Sequence, residues 1–189
     1  ISKHLATKLK IKSQKDFELK FNWESSKKYS RDVLCNPWPT QTAYKEQSIT
    51  TMPNDVIEDL TIQHWWEKND VMNHPNANMF FKPRAGITRF TSIDEGDVSK
   101  KCYKRLHRWR YSPTAAYGNN EVHIHPYLPR RISVAEALAI QSLPATFVIP
   151  EDVSLSDAFK TIGNGVPFLA AKGIAEALYN FFHENGYKD

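Results

Sequence analysis

The stretch Phe159-Lys160-Thr161-Ile162-Gly163-Asn164-Gly165-Val166-Pro167 decides how this chain reads. Small residues at 163–165 predict a tight turn, and Pro167 suits the first turn of a helix, where its missing N–H has no intrahelical partner. Beyond it, Val166, Ala170, Ile174, Leu178 and Phe182 recur at i, i+4, thickened by Leu169 and Phe181. This predicts an amphipathic helix ending near Gly186, with an apolar stripe roughly 25 Å long that needs something to pack on. A helix N-terminus behind a small-residue turn presents free N–H groups to an anion. Taken alone, however, the fragment equally describes an ordinary turn opening a core helix.

Working back toward the N-terminus, Pro144 limits a second helix over residues 135–141, introduced by Ser133 and Glu136. This spacing is a capping box, in which the hydroxyl accepts from the Glu136 amide and the carboxylate from the Ser133 amide. Earlier residues have a different character. Phe17, Leu19, Phe21 and Trp23 alternate with polar residues, as a half-buried strand does. Asn36-Pro37-Trp38-Pro39-Thr40 is predicted extended, residues 54–67 helical with Asn54 as cap, and residues 73–86 loop. Residues 100–114 read as strand through Tyr103, His107, Trp109 and Tyr111, and Gly118-Asn119-Asn120 as a turn. The expectation is an α+β chain. Residues 1–128 form a strand-rich, irregular domain, and residues 129–189 a segment with two C-terminal helices.

Charge divides at the same place. Residues 1–128 hold 20 Lys and Arg against 14 Asp and Glu, a net of +6, and residues 129–189 hold 5 against 7, a net of −2. A basic front fits a polyanion, although a solvated lysine-rich face has the same composition. Lys100, Lys101, Lys104, Arg105, Arg108 and Arg110 are interleaved with aromatics. This pattern suits phosphate contacts, with Arg84 and Arg89 as further candidates. No apolar run approaches the roughly 20 residues of a membrane span. Cys35 and Cys102 show neither metal-type nor disulfide-type spacing, which suits a reducing cytosol. His123 and His125 share a strand parity but lack a third ligand in the pattern, so no metal is assigned.

The order of the segments carries more than any one of them. Arg130-Arg131-Ile132-Ser133-Val134-Ala135-Glu136, then Gln141-Ser142-Leu143-Pro144, then the Phe159 to Pro167 stretch, resembles the last two motif blocks of DNA cytosine-5 methyltransferases. Tyr103-Lys104-Arg105-Leu106, Ser112-Pro113-Thr114-Ala115-Ala116-Tyr117-Gly118 and His125-Pro126 are similar to that family's approach to them. The resemblance covers residues 103–183. It departs at Leu143, where Phe is usual, at Phe159 for Tyr, at Thr161 for Gln, and at Ala135 for Arg.

The resemblance implies an S-adenosylmethionine-dependent enzyme with double-stranded DNA in a cleft between a large α/β domain and a small target-recognition domain. It places Asn164 and Gly165 at the methionine part of the cofactor and Thr114 on a phosphate beside a flipped base. Tyr117, Gly118, Asn119 and Asn120 fall in a loop reading the major groove, with Lys104 and Arg105 among the DNA-binding cations. Arg130 and Glu136 are assigned to holding the recognition domain together. The last helix is expected to dock on the large domain.

That chemistry needs a cysteine after a proline, to attack C6 of a flipped cytosine, and a Glu-Asn-Val segment. Here Cys35 follows Leu34, Cys102 follows Lys101, and Glu-Asn-Val is absent. The faint likeness of residues 32–38 to the loop of amino-group methyltransferases lacks a proline and is read as chance. No catalytic residue is therefore assigned, and the chain alone is expected to be inactive. Opening on Ile1, it reads as the C-terminal part or smaller subunit of a cytoplasmic bacterial methyltransferase of a restriction-modification system, partnered by a missing N-terminal catalytic half. The alternatives are a non-catalytic, sequence-specific DNA-binding module of the same ancestry and a relative acting on tRNA.

Overall fold

In a computed structural model that describes residues 35–83, 86–117 and 121–184, five α-helices follow one another. They are α1 (Ile62–Lys68), α2 (Ile87–Ser92), α3 (Val134–Ile140), α4 (Leu155–Asn164) and α5 (Phe168–Glu184), with a 3-10 turn at Glu58–Leu60 before α1. The chain divides into two compact units, Ile1–Asn36 and Pro37–Asp189. The expected strand over residues 17–23, the turn at Gly118, Asn119 and Asn120, Arg84 and the stop at Gly186 lie outside the described residues.

Local chemistry sets the helix starts. Thr61 is extended and its hydroxyl accepts from the His64 amide, so α1 begins there, seven residues later than an Asn54 cap would have it. Ser133 and Glu136 form both halves of the capping box. Ser154 caps α4 by accepting from the Asp157 amide. Gly86, at φ +70°, precedes α2 in a left-handed conformation that suits glycine.

No strand was assigned among the described residues; three isolated bridges take its place, Thr42 with Glu95, Arg105 with Ile124, and Ile124 with Arg131. The alternation expected over residues 100–114 fails for a physical reason. Tyr103 sits at φ +64°, which interrupts an extended run, and residues 105–108 are all buried, odd and even alike. At residues 105–108 the segment threads between other parts of the protein with both faces covered. It does not pair along one edge.

The core runs straight across Pro129. Ile62, Trp66, Leu106, Tyr117 and Val122 pack with Ile132, Val134, Leu138, Phe159 and Ile162 in one cluster. The Trp66 indole N–H donates to the Glu136 carbonyl at 3.1 Å, joining α1 to α3. Asn76, almost fully buried, accepts from the Ile149 amide and donates to the Ile149 carbonyl, joining the loop before α2 to the approach to α4. Residues on either side of position 129 therefore share one interior. Helix α5 is the exception: none of its residues is buried, and no other described helix packs on it.

Candidate functional site

The Gly163-Asn164-Gly165 run closes α4; it does not open a helix directly. Asn164 is the last helical residue and Gly165 the C-cap, its amide donating to the Thr161 and Ile162 carbonyls. Three residues later, at Phe168, α5 begins, with the Pro167 carbonyl accepting from the Ala171 amide. The joint is held from outside by residues 141 and 142. The Gln141 side-chain amide donates to the Ile162 carbonyl at 3.0 Å, and the Gln141 carbonyl accepts from the Phe168 amide at 2.8 Å. The Ser142 hydroxyl accepts from the Leu169 amide at 3.0 Å. Ser142 adopts φ +54° to do so. The Gln141-Ser142 block thus ties off the end of α4 and satisfies two of the free amides that open α5.

On the other side, α4 meets residues 115–117 with almost nothing between the backbones. A Cβ added at Gly163 would lie 2.7 Å from the Tyr117 nitrogen and 3.0 Å from the Ala115 oxygen. Next to this contact lies an open cleft of about 830 Å³, lined by Phe81, Ala116, Glu121, Asp157, Lys160 and Asn164, among others. Asn164 is exposed, and its side chain makes no hydrogen bond among the described residues. Gly165 is exposed too, and a Cβ there would meet nothing beyond two carbonyls of its own α4. An uncommitted amide beside an open backbone can take the polar amino-acid end of a ligand.

Elsewhere in the same core, Glu136 and His125 are buried and partnered. Arg130 makes a two-pronged contact with Glu136, at 2.9 and 2.7 Å. His125 accepts from the Tyr127 and Leu128 amides at Nδ1, which puts its proton on Nε2, 3.4 Å from Glu136. Burial lowers the His125 pKa, so this imidazole is neutral and the contact with Glu136 is dipolar, not ionic. Burial alone would raise the Glu136 carboxyl, but the Arg130 and His125 hydrogen bonds outweigh it and hold the group at about 2. His123, behind Tyr117, is pushed down to about 3 by burial and by the nearby Lys104 and Arg131 charges.

Several residues expected on nucleic acid are found inside. Arg105 is fully buried, its guanidinium donating to the carbonyls of Phe90, Ile93, His125, Pro126 and Leu128 and stacking 4.1 Å from the Tyr44 ring centre. It has nothing left for a phosphate, and its assignment to DNA is corrected to a structural one. Tyr117 is buried against Phe159 and His123, with its hydroxyl 3.3 Å from His123 Nδ1, so it does not read a groove. Arg108 is likewise committed, to Glu95 and Ser48. Thr114 is exposed one residue before the contact with Gly163, and Lys104 is half-buried. Lys100 is exposed, and Lys101 pairs with Glu121 at 3.4 Å. The sequence reading overlooked Lys160 and Phe81 in the cleft. The i, i+3/i+4 spacing of Leu155, Ala158, Phe159 and Ile162 behind Ser154 was the available signal for α4.

The family model described as C-5 cytosine-specific DNA methylase matches residues 2–180. A type II methyltransferase of Neisseria meningitidis serogroup C, M.NmeDI, is 57% identical over 169 residues, covering 89% of this chain and 39% of the relative. A putative type II methyltransferase of Oceanobacillus iheyensis, M.OihORF3336P, is 55% identical over 56 residues, 30% of this chain and 12% of that protein. The chain therefore spans well under half the length of the curated relatives it matches. No solved structure matches it.

Proposed function

Since this chain belongs to the C-5 cytosine-specific DNA methylase family, we propose that it is the C-terminal portion of a DNA cytosine-5 methyltransferase, acting with a catalytic half that lies outside it. The observation that carries the reading is the shared corner at Gly163. There the block bearing Asn164 and Gly165 and the segment bearing Thr114 pack backbone to backbone beside one cleft. A cofactor side and a DNA side need that adjacency, because methyl transfer requires donor and base to meet.

In this reading the exposed Asn164 amide and the Gly165 backbone hold the amino-acid end of S-adenosylmethionine. That cofactor supplies the methyl group. Thr114 takes a DNA phosphate beside the extruded cytosine, and Lys104 contributes a cation to the recognition side. Arg105 and Tyr117 act from within, keeping that side in shape. The nucleophilic cysteine belongs to the catalytic half. The exposed apolar side chains of α5, with Ile174 54% and Leu178 38% exposed, form the surface by which this portion docks on that half. Among the described residues no helix is long and apolar enough to cross a membrane, and the protein works in the bacterial cytoplasm on duplex DNA.

The test is complementation. The chain alone gives neither methyl transfer to duplex DNA nor tight cofactor binding; joined to the upstream half it gives both. Robust transfer of labelled methyl groups by the isolated chain overturns this reading. A complete protein that binds duplex sequence-specifically without methylating it points instead to a DNA-binding module.

A further inference from the structure

We infer that Gly163 is a positioning residue for the nucleic acid: by carrying no side chain it lets residues 115–117 seat directly on α4, and so fixes where Thr114 stands. The geometry leaves no other residue type at this position. A single methyl would lie 2.7 Å from the Tyr117 nitrogen, 3.0 Å from the Ala115 oxygen and 3.1 Å from the Tyr117 Cα. All three are main-chain atoms, so no rotamer change relieves the overlap.

Two anchors decide which side gives way. The α4 side is fixed, with Ala158, Phe159 and Ile162 in the core and the Ile162 carbonyl held by Gln141. Tyr117 is also held, its ring set against Phe159 and His123. Thr114 and Ala116 are exposed, and Ala115 offers the core only a methyl group, with one local hydrogen bond from the Ala116 amide to the Thr114 carbonyl. The strain is therefore released through residues 114–116, away from α4. Gly165 makes a useful contrast, because a Cβ there meets nothing closer than 3.2 Å. Of the two glycines in the run, only the first is demanded by packing within this chain.

The inference rests on the proposed reading of Thr114 as a DNA contact. The experiment uses the complete methyltransferase and measures KM for duplex DNA, KM for S-adenosylmethionine, kcat and Tm. Displacing a substrate contact by about 1 Å costs one to two powers of ten. Gly163→Ala is therefore expected to raise the DNA KM about tenfold and the cofactor KM less than about threefold. Ile162→Val, which thins the core behind the same helix, lowers Tm with no such split. Both KM values rising together, or neither rising, overturns the positioning role. Thr114→Ala separates the two readings: an unchanged DNA KM in that variant sinks the Thr114 assignment, whatever Gly163→Ala does. If Gly163→Ala does not fold, Ala116→Gly reads the same joint from the other side. Loosening the segment is expected to raise the DNA KM about threefold with the cofactor KM constant, and no change counts against the inference.

Discussion

Residues 105–136 and residues 166–182 break the usual inside-outside division in opposite directions. The first region buries charge: Arg105, Arg108, Arg131 and Glu136, with Glu95 packed against Arg108, are each less than a tenth exposed. The second exposes apolar surface: Val166, Phe168, Leu169, Ile174 and Tyr179 are each more than two-fifths exposed. The buried charges are all answered within the chain, by carbonyls, by each other or by aromatic rings. No other described helix packs on the apolar helix. One region is closed on itself, and the other is the surface proposed above for docking.

The largest expected effect tests whether the charged region is as self-contained as it looks. Glu136→Ala leaves the part-buried Arg130 without its carboxylate and removes one half of the capping box, which should cost about 2–4 kcal/mol in urea unfolding of the chain. A loss under about 1 kcal/mol would mean that the network is ornamental. Next comes the other region. Replacing Ile174 and Leu178 together by Glu should weaken association with the catalytic half about a hundredfold, as loss of a central apolar anchor does. The free chain should lose less than about 0.5 kcal/mol, because neither side chain is buried in it. Equal loss in both measurements would make α5 a core helix and erase the contrast.

Acid sharpens the comparison further. His123 has a folded pKa of about 3, below its unfolded value of roughly 6.5, so the unfolded chain binds the extra proton first. Stability should fall as pH drops below about 6.5, by on the order of 2 kcal/mol before pH 5 to 4.5 from this group alone. Glu136, held at about 2, adds to the loss from its unfolded value near 4.5 down through pH 2. A Tm that stays flat from pH 7 to 5 would contradict a buried neutral His123.

The smallest effect separates cations that the sequence treats alike. Lys104→Ala should weaken DNA binding by the complete protein less than tenfold and lower the slope of log affinity against log salt by about one. Arg105→Lys should lower Tm and leave that slope unchanged, because its charge never reaches solvent.

The same pair of residues shows what the sequence could and could not tell. The Ser133 and Glu136 cap, the start of α5 and its apolar stripe were legible because each depends on residues three or four apart. The fates of Lys104 and Arg105 were not, because a guanidinium that meets phosphates and one that meets five backbone carbonyls have the same local pattern. The choice is made by loops more than ten residues away. Helix α4 was hidden by the Gly163-Asn164-Gly165 run, which reads as a turn unless the cap at Ser154 is seen first. The contact between Gly163 and residues 115–117 joins positions nearly fifty apart, and no periodicity announces it.

The clamp formed by Gln141 and Ser142 also orders events in time. Synthesis runs from the N-terminus, so residues 141 and 142 leave the ribosome before α4 and α5 do, and the core that holds them can assemble first. The amides of Phe168 and Leu169 then emerge to find their acceptors waiting. The first turn of α5 is thus fixed as it is made, so the exposed apolar side of the helix is presented in one orientation from the start.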